Sequence, residues 1–180
     1  MVPPPMWGYN TELVDRPFDT EAAKKKLAEY AAEKGLTLPM KLQLSVMSQA
    51  RPYMPDPKSM AGFMKDSLRE VGIELEIVFR DVNQHFDALM KGEHQIGLAG
   101  WNSDNSDPDN FLYSLLDSDN INDQGNNLSR YRSEAFDDLV KRGRKNWIVR
   151  SEKIYFVAQA QVFKDALWCS CAHEVASGAF

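Results

Sequence analysis

The chain has 180 residues, 43% of them hydrophobic, and a formal net charge of −5. This length predicts a single domain, and the hydrophobic fraction is high enough for a buried core. The negative charge argues against a nucleic-acid or anionic-membrane surface, and no apolar stretch approaches the roughly 18 residues that a membrane span needs.

The residues before position 101 predict alternating helices and strands. Residues 1–19 contain three consecutive prolines and predict an extended segment, either ordered or disordered. Strands are predicted where apolar side chains alternate, and helices where they recur every three to four residues. Helices are thus predicted at 21–34, 57–71 and 83–91, and strands at 42–46, 73–79 and 95–100. Phe63 is predicted to face inward. This order indicates parallel pairing with right-handed crossovers.

The second half predicts mostly helices. Residues 117–130 are rich in Asp, Asn and Gly and predict a surface loop. Ser133 is predicted to cap a helix that runs to about Lys145, and residues 148–166 predict a long helix with Val157 facing inward. Residues 167–173 predict a last strand. The whole pattern predicts an α/β fold, three layers around a mostly parallel sheet.

A polar loop, residues 101–110, separates the third strand from a short helix at 111–116. Asp107-Pro108 is a helix-start signal, because Asp accepts from unpaired N–H groups and Pro needs no donor at the first helical position. Asp104 has no such role and closely follows the end of a strand. We therefore predict that the carboxylate of Asp104 faces a ligand beyond the sheet edge.

The sequence contains no nucleophile elbow, phosphate loop or dinucleotide fingerprint, and its three histidines are not spaced as zinc ligands. Calcium stays open as an alternative, although Pro108 and Phe111 stand where an EF-hand loop needs oxygen donors. Cys169 and Cys171 are too close in sequence to bridge easily. We expect no enzyme activity, no metal and no cofactor.

Opposite charges occupy two loops that a parallel sheet would bring to one edge. Arg51 follows the first strand, and Asp104 follows the third. Arginine holds a carboxylate with its planar fork, and aspartate can hold an ammonium group. Together they would select a free peptide, which carries both charges. The alternative is that both side chains pair within the protein.

Five segments resemble, in the same order, the dipeptide- and oligopeptide-binding proteins of bacterial ABC importers, which are extracellular solute-binding proteins of family 5. The segments are PPMWGYN at 4–10, RPYMP at 51–55, GEHQ at 92–95, GWNSDNSDPDNF at 100–111 and AFDDL at 135–139. The resemblance implies one lobe of a type II, two-lobed periplasmic-binding-protein clamp. In it, 1–19 would be ordered coil that follows the hinge and packs on the lobe, and 20–180 would form a lobe that ends before the return strands. It also implies a C-terminal fragment of a longer exported protein whose signal peptide lies upstream.

The resemblance further implies a site and partners. Arg51 matches the position that binds the ligand carboxylate and Asp104 the one that binds its amino group, with Trp101 and Tyr53 lining the pocket. A short peptide would be delivered in the periplasm to an ABC permease and its ATPase subunits, and we expect a monomer. The alternatives are a different cargo, such as nickel, heme or an oligosaccharide, or else a metal-dependent hydrolase, a calcium-binding domain or an interaction domain.

Overall fold

The computed structural model describes residues 2–146 and 148–172, without the side chains of 148–150. Three strands and six α-helices lie in this part of the chain, which confirms the α/β prediction. The strands are β1 (Met40–Met47), β2 (Ile73–Arg80) and β3 (Ile96–Gly97). The helices are α1 (Thr20–Lys34), α2 (Pro57–Glu70), α3 (Val82–Lys91), α4 (Asp109–Leu116), α5 (Glu134–Arg144) and α6 (Ile148–Asp165), with a 3₁₀ turn at Ser118–Asn120.

The chain divides into two compact units. The sheet unit comprises Asp15–Ala88 and Glu93–Gly100, and the helical unit comprises Met1–Val14, Leu89–Gly92 and Trp101–Phe180. The assignment of all 180 residues to a single lobe stays a prediction. Within the described residues, no helix is both long and apolar enough to cross a membrane.

The sheet unit contains a parallel sheet in the order β2-β1-β3. Leu44 of β1 lies opposite Ile77 of β2 and Ile96 of β3, which confirms the predicted parallel pairing. β3 is shorter than the predicted 95–100, because its pairing ends at Gly97. The core beside the sheet buries apolar side chains of β1, β2 and α2, among them Leu44, Leu75 and Ala61.

The predicted helix ends in the sheet unit are confirmed. Asp19 caps α1 by accepting from the N–H of Ala22 at 2.9 Å, and Gly35 ends it in the left-handed conformation that glycine favours. The inward placement of Phe63 is wrong, because its side chain is 70% exposed. α2 buries Ala61, which turns Phe63 away from the core.

The helical unit has a core built by the N-terminal segment and α4, α5 and α6. Ser133 caps α5 as predicted, accepting from the N–H of Phe136 at 3.3 Å. Residues 2–14 form ordered coil, as predicted, with the carbonyl of Gly8 accepting from the side chain of Gln159 at 2.7 Å. Val157 is 55% exposed, which corrects its inward placement: α6 buries its neighbours Tyr155, Ala158, Gln159 and Val162 instead.

Two predicted segments of the helical unit differ from expectation. The 117–130 loop contains buried polar anchors rather than lying wholly on the surface: the Asn127 amide donates to the carbonyls of Leu116 and Tyr131 at 3.0 and 2.9 Å. The strand predicted at 167–173 is absent from 167–172, and His173 lies outside the described residues. Trp168 packs against the helical core instead of pairing with a strand. Cys169 and Cys171 are free and exposed.

Candidate functional site

The loop after β1 is a tight turn that leaves Arg51 exposed. Arg51 and Met54 exchange both backbone hydrogen bonds, at 3.0 and 2.9 Å, and Pro52 supplies the fixed φ that favours the first inner position of a turn. Met54 is buried in the core of the sheet unit. The anchored turn therefore presents a guanidinium that forms no ion pair within the described residues of its unit.

Tyr53 joins this turn to the residues that follow β3. A Cβ atom added to Gly100 would lie 2.2 to 2.6 Å from three carbons of the Tyr53 ring, so the contact requires a residue without a side chain. Burial raises the pKa of the Tyr53 hydroxyl, and the nearby positive charge of Arg51 opposes that rise. Arg51 and Tyr53 thus belong to the same tight turn, which Arg51 and Met54 close.

His85 is buried and contacts the same residues that follow β3. Its Nε2 is 3.0 Å from the carbonyl of Leu98, and its Nδ1 is 3.1 Å from the hydroxyl of Ser45. That hydroxyl accepts from Arg80 Nη1 at 2.8 Å. Burial lowers the pKa of His85, and the positive charges of Arg80 and His94 lower it further, while the bond to Leu98 opposes them.

Asp104 lies in the helical unit, in a loop held by short-range hydrogen bonds. The amide oxygen of Asn110 accepts from the indole N–H of Trp101 at 2.8 Å and from the backbone N–H of Asp104 at 3.3 Å. Trp101 is half-buried and packs against the helical core. The carboxylate of Asp104 is exposed and forms no ion pair within the described residues of its unit. Asn110 thus holds the side chain of Trp101 and the backbone of Asp104 through one oxygen.

Asp107 and Asp109 have structural roles. Asp107 accepts from the N–H of Asp109, the first residue of α4, at 3.0 Å, but the N-cap of α4 is Pro108 and not the predicted Asp107. Asp109 pairs with Arg144 at 3.0 Å, although burial and then the charge of Asp107 raise its pKa. A cavity of about 260 Å³ lies beside these groups. Trp7 lines this cavity, whereas Trp101 and Asp104 do not.

Within the described residues, no group of three or more His, Cys, Asp or Glu side chains is arranged to hold a metal ion. The acidic side chains of the polar loop are engaged separately instead. Asp107 accepts from the backbone N–H of Asp109, Asp109 pairs with Arg144, and Asp104 stays exposed. The described loop therefore offers single charges rather than a cluster of ligands.

The family described as bacterial extracellular solute-binding proteins, family 5 Middle, matches residues 1–123. The chain belongs to this family. It is 35% identical to the dipeptide-binding protein of Escherichia coli K12 over 162 residues. This match covers 90% of this chain and 29% of that protein. The chain is also 35% identical over 176 residues to heme-binding protein A of Haemophilus influenzae, covering 97% of this chain and 31% of that one.

A solved structure agrees with this family 5 assignment. The chain is 31% identical to an ABC transporter-associated periplasmic binding protein from Helicobacter pylori, solved in complex with the peptide STSA, with a TM-score of 0.80 over 92% of this chain and 31% of that one. The prediction of a periplasmic-binding-protein fold is confirmed. This family 5 chain spans about 30% of the length of the relatives that it matches.

The four site residues predicted for this solute-binding protein fall into two pairs. Arg51 and Tyr53 lie together in the sheet unit, while Trp101 and Asp104 share a partner in the helical unit. Their union in one ligand site stays a prediction.

Sequence reasoning missed Asn110 and His85. The signal for Asn110 was an amide in the first turn of a helix that follows a polar loop. The signal for His85 was a polar residue four positions before the buried Leu89, on the apolar face of α3.

Proposed function

We propose that this chain binds the two ends of a short peptide for uptake by an ABC importer. Arg51 binds the peptide's carboxylate, Asp104 binds its ammonium group, and Trp101 and Tyr53 line the pocket. The proposal rests on the surroundings of the two charged side chains, Arg51 and Asp104. Each is exposed, sits on a loop with an anchored backbone, and has no ion-pair partner among the described residues of its own unit.

The chemistry of the ligand fits these two groups. A free dipeptide carries one negative and one positive end, and a guanidinium can form two parallel hydrogen bonds with a carboxylate. A site enclosed on ligand binding strengthens both interactions, because the surrounding dielectric falls. Recognition of the two termini leaves the peptide side chains free to vary, which suits a binding protein that takes up many peptides.

Several further parts of the proposal rest on the family. We infer that the whole protein acts in the periplasm, binds its solute as a monomer without chemical change, and delivers it to a membrane permease and its ATPase subunits. Two relatives support the peptide cargo, one by its name as a dipeptide-binding protein and one by its bound peptide STSA. The mechanism would be closure of a two-lobed clamp around the ligand.

Heme is the second candidate cargo, because a relative of equal identity is named heme-binding protein A. The two carboxylates of heme would suit Arg51, but heme has no ammonium group to pair with Asp104. Histidine is a common iron ligand, but His85 is fully buried and bonded at both nitrogens. The exposed carboxylate therefore favours the peptide.

A calorimetric titration of the longer protein that contains this chain tests the proposal. We expect it to bind Gly-Leu, and to bind N-acetyl-Gly-Leu and heme far more weakly. Tight heme binding with no Gly-Leu binding would establish the second candidate instead. The 180-residue chain is the matched control, and we expect weak or no binding to it, because ligand sites normally bury most of a small ligand's surface.

A further inference from the structure

The segment Leu98–Gly100 is held mainly by side chains. β3 ends one residue before it, and the N–H of Leu98 makes one more sheet-like bond to the carbonyl of Ser45, at 3.0 Å. Beyond that bond, His85 Nε2 contacts the Leu98 carbonyl and the Tyr53 ring covers the Cα of Gly100. His85 therefore continues the hydrogen bonding of the sheet past its last paired residues.

The partners of His85 decide its tautomer. A carbonyl only accepts, so Nε2 carries the proton and donates it to Leu98. Nδ1 then accepts from the hydroxyl of Ser45, which accepts in turn from Arg80. This arrangement satisfies each donor and acceptor while the imidazole is neutral. A second ring proton would point at a hydroxyl that Arg80 already approaches.

We propose that His85 is a positioning residue of the ligand site. Its neutral imidazole fixes Leu98–Gly100 against Tyr53, and through Tyr53 it holds the Arg51 turn in its binding conformation. The inference rests on the proposed function and adds to it a buried residue that touches no ligand.

The order of contacts supports this role. Tyr53 is an inner residue of the turn closed by Arg51 and Met54, so displacement of its ring strains the turn directly. The ring contacts Gly100, only two residues after the carbonyl that His85 holds. Loss of the donor at Leu98 would leave a buried acceptor unpaired and release the segment on which the ring rests.

Two substitutions separate positioning from general packing. His85→Gln keeps an Nε2–H donor near the place of the imidazole Nε2, whereas the shorter His85→Asn loses it, and neither side chain titrates. We expect His85→Asn to speed amide hydrogen exchange about tenfold in the 180-residue chain at Leu98, whose N–H donates to the carbonyl of Ser45, and to weaken Gly-Leu binding about tenfold in the longer protein. We expect His85→Gln to stay within about threefold of wild type in both measurements.

Exchange that is unchanged in His85→Asn, or equally faster in both variants, would overturn the inference. So would faster exchange in His85→Asn with unchanged Gly-Leu affinity. A wild-type protein without affinity for Gly-Leu would overturn the proposed function, and the contrast between the variants in exchange would then decide whether His85 holds the segment. If His85→Asn fails to fold, the ¹⁵N spectrum of the wild-type imidazole decides: an Nδ1–H tautomer at neutral pH would overturn the inference.

Discussion

Two loops each present one exposed charge, but they are held in different ways. The Arg51 turn is anchored by apolar packing, with Met54 in the core and the Tyr53 ring against Gly100. The Asp104 loop is anchored by hydrogen bonds that side-chain oxygens accept from the backbone or from Trp101. The Arg51 turn should therefore be most sensitive to added volume, and the Asp104 loop to the loss of a single acceptor.

We expect the largest effect, a loss of ligand affinity, when the charge of Arg51 is removed from the packed turn. Arg51→Ala should weaken binding of a free dipeptide to the longer protein by roughly two to three orders of magnitude, because a peptide carboxylate that loses its buried partner costs about 3–5 kcal/mol. A dipeptide with a C-terminal amide should lose little more on the same substitution. Calorimetry measures both.

Arg69→Ala is the matched control for that substitution. It removes the same charge from an exposed position on α2, where Arg69 pairs with Asp66 at 3.2 Å. An equal loss of affinity in both variants would show that Arg51 acts through overall charge and not through contact with the ligand.

Added volume should damage the packed turn next most strongly. Gly100→Ala places a methyl group in steric clash with the Tyr53 ring and should lower the free energy of unfolding by about 1–3 kcal/mol. Gly62→Ala is the control, because no atom lies within 4 Å of its added Cβ, and it should raise that free energy by about 0.5–1 kcal/mol. Urea unfolding followed by circular dichroism checks both. Similar results for the two variants would mean that the ring is free to move aside.

Loss of one acceptor should damage the hydrogen-bonded loop. Asn110→Ala removes the oxygen shared by Trp101 and Asp104 and should cost about 1–2 kcal/mol, whereas Asn110→Asp keeps an acceptor and should cost less. The sequence of the sheet unit contains no tryptophan, so tryptophan fluorescence during urea unfolding reports on the helical unit alone. Equal destabilisation by Ala and Asp would contradict the account.

The smallest expected effect is on pH dependence. Because burial lowers the pKa of His85 in the folded state, the unfolded chain takes up a proton below about pH 6.5 that the folded chain resists. His85 therefore stabilises the fold above that pH, and the free energy of unfolding should fall as pH drops below it. The nearby charges of Arg80 and His94 act in the same direction. Urea midpoints at several pH values should show a weaker slope in His85→Gln. An identical slope would exclude His85 as its source.

Local patterns in the sequence predicted β1, β2 and the helix ends, because alternation and capping residues are short-range signals. Burial directions were harder to predict. Phe63 and Val157 are apolar residues on helices, yet both are exposed, since the buried face of a helix depends on what packs against it. The length of β3 was also not predicted. The carbonyl of Leu98 is hydrogen-bonded by the side chain of His85 and not by a neighbouring strand.

The candidate site was predicted in part. Charge and loop position singled out Arg51 and Asp104, and the structure leaves both exposed. The supports beneath them were not predictable, because Asn110 and His85 act through contacts with residues 9 and 13 positions away. A sequence shows which charges are available, but the groups that hold their loops appear only once the chain is folded.

A binding cycle at Asp104 tests the central claim most directly. The wild-type longer protein and its Asp104→Asn variant are each titrated with Gly-Leu and with N-acetyl-Gly-Leu. The account predicts that Asp104→Asn weakens Gly-Leu binding by roughly two to three orders of magnitude, and that the acetylated peptide binds poorly to both proteins with little difference between them. Gly-Leu binding of equal affinity to wild type and Asp104→Asn would contradict the account and leave the polar loop as a strand-to-helix connection only.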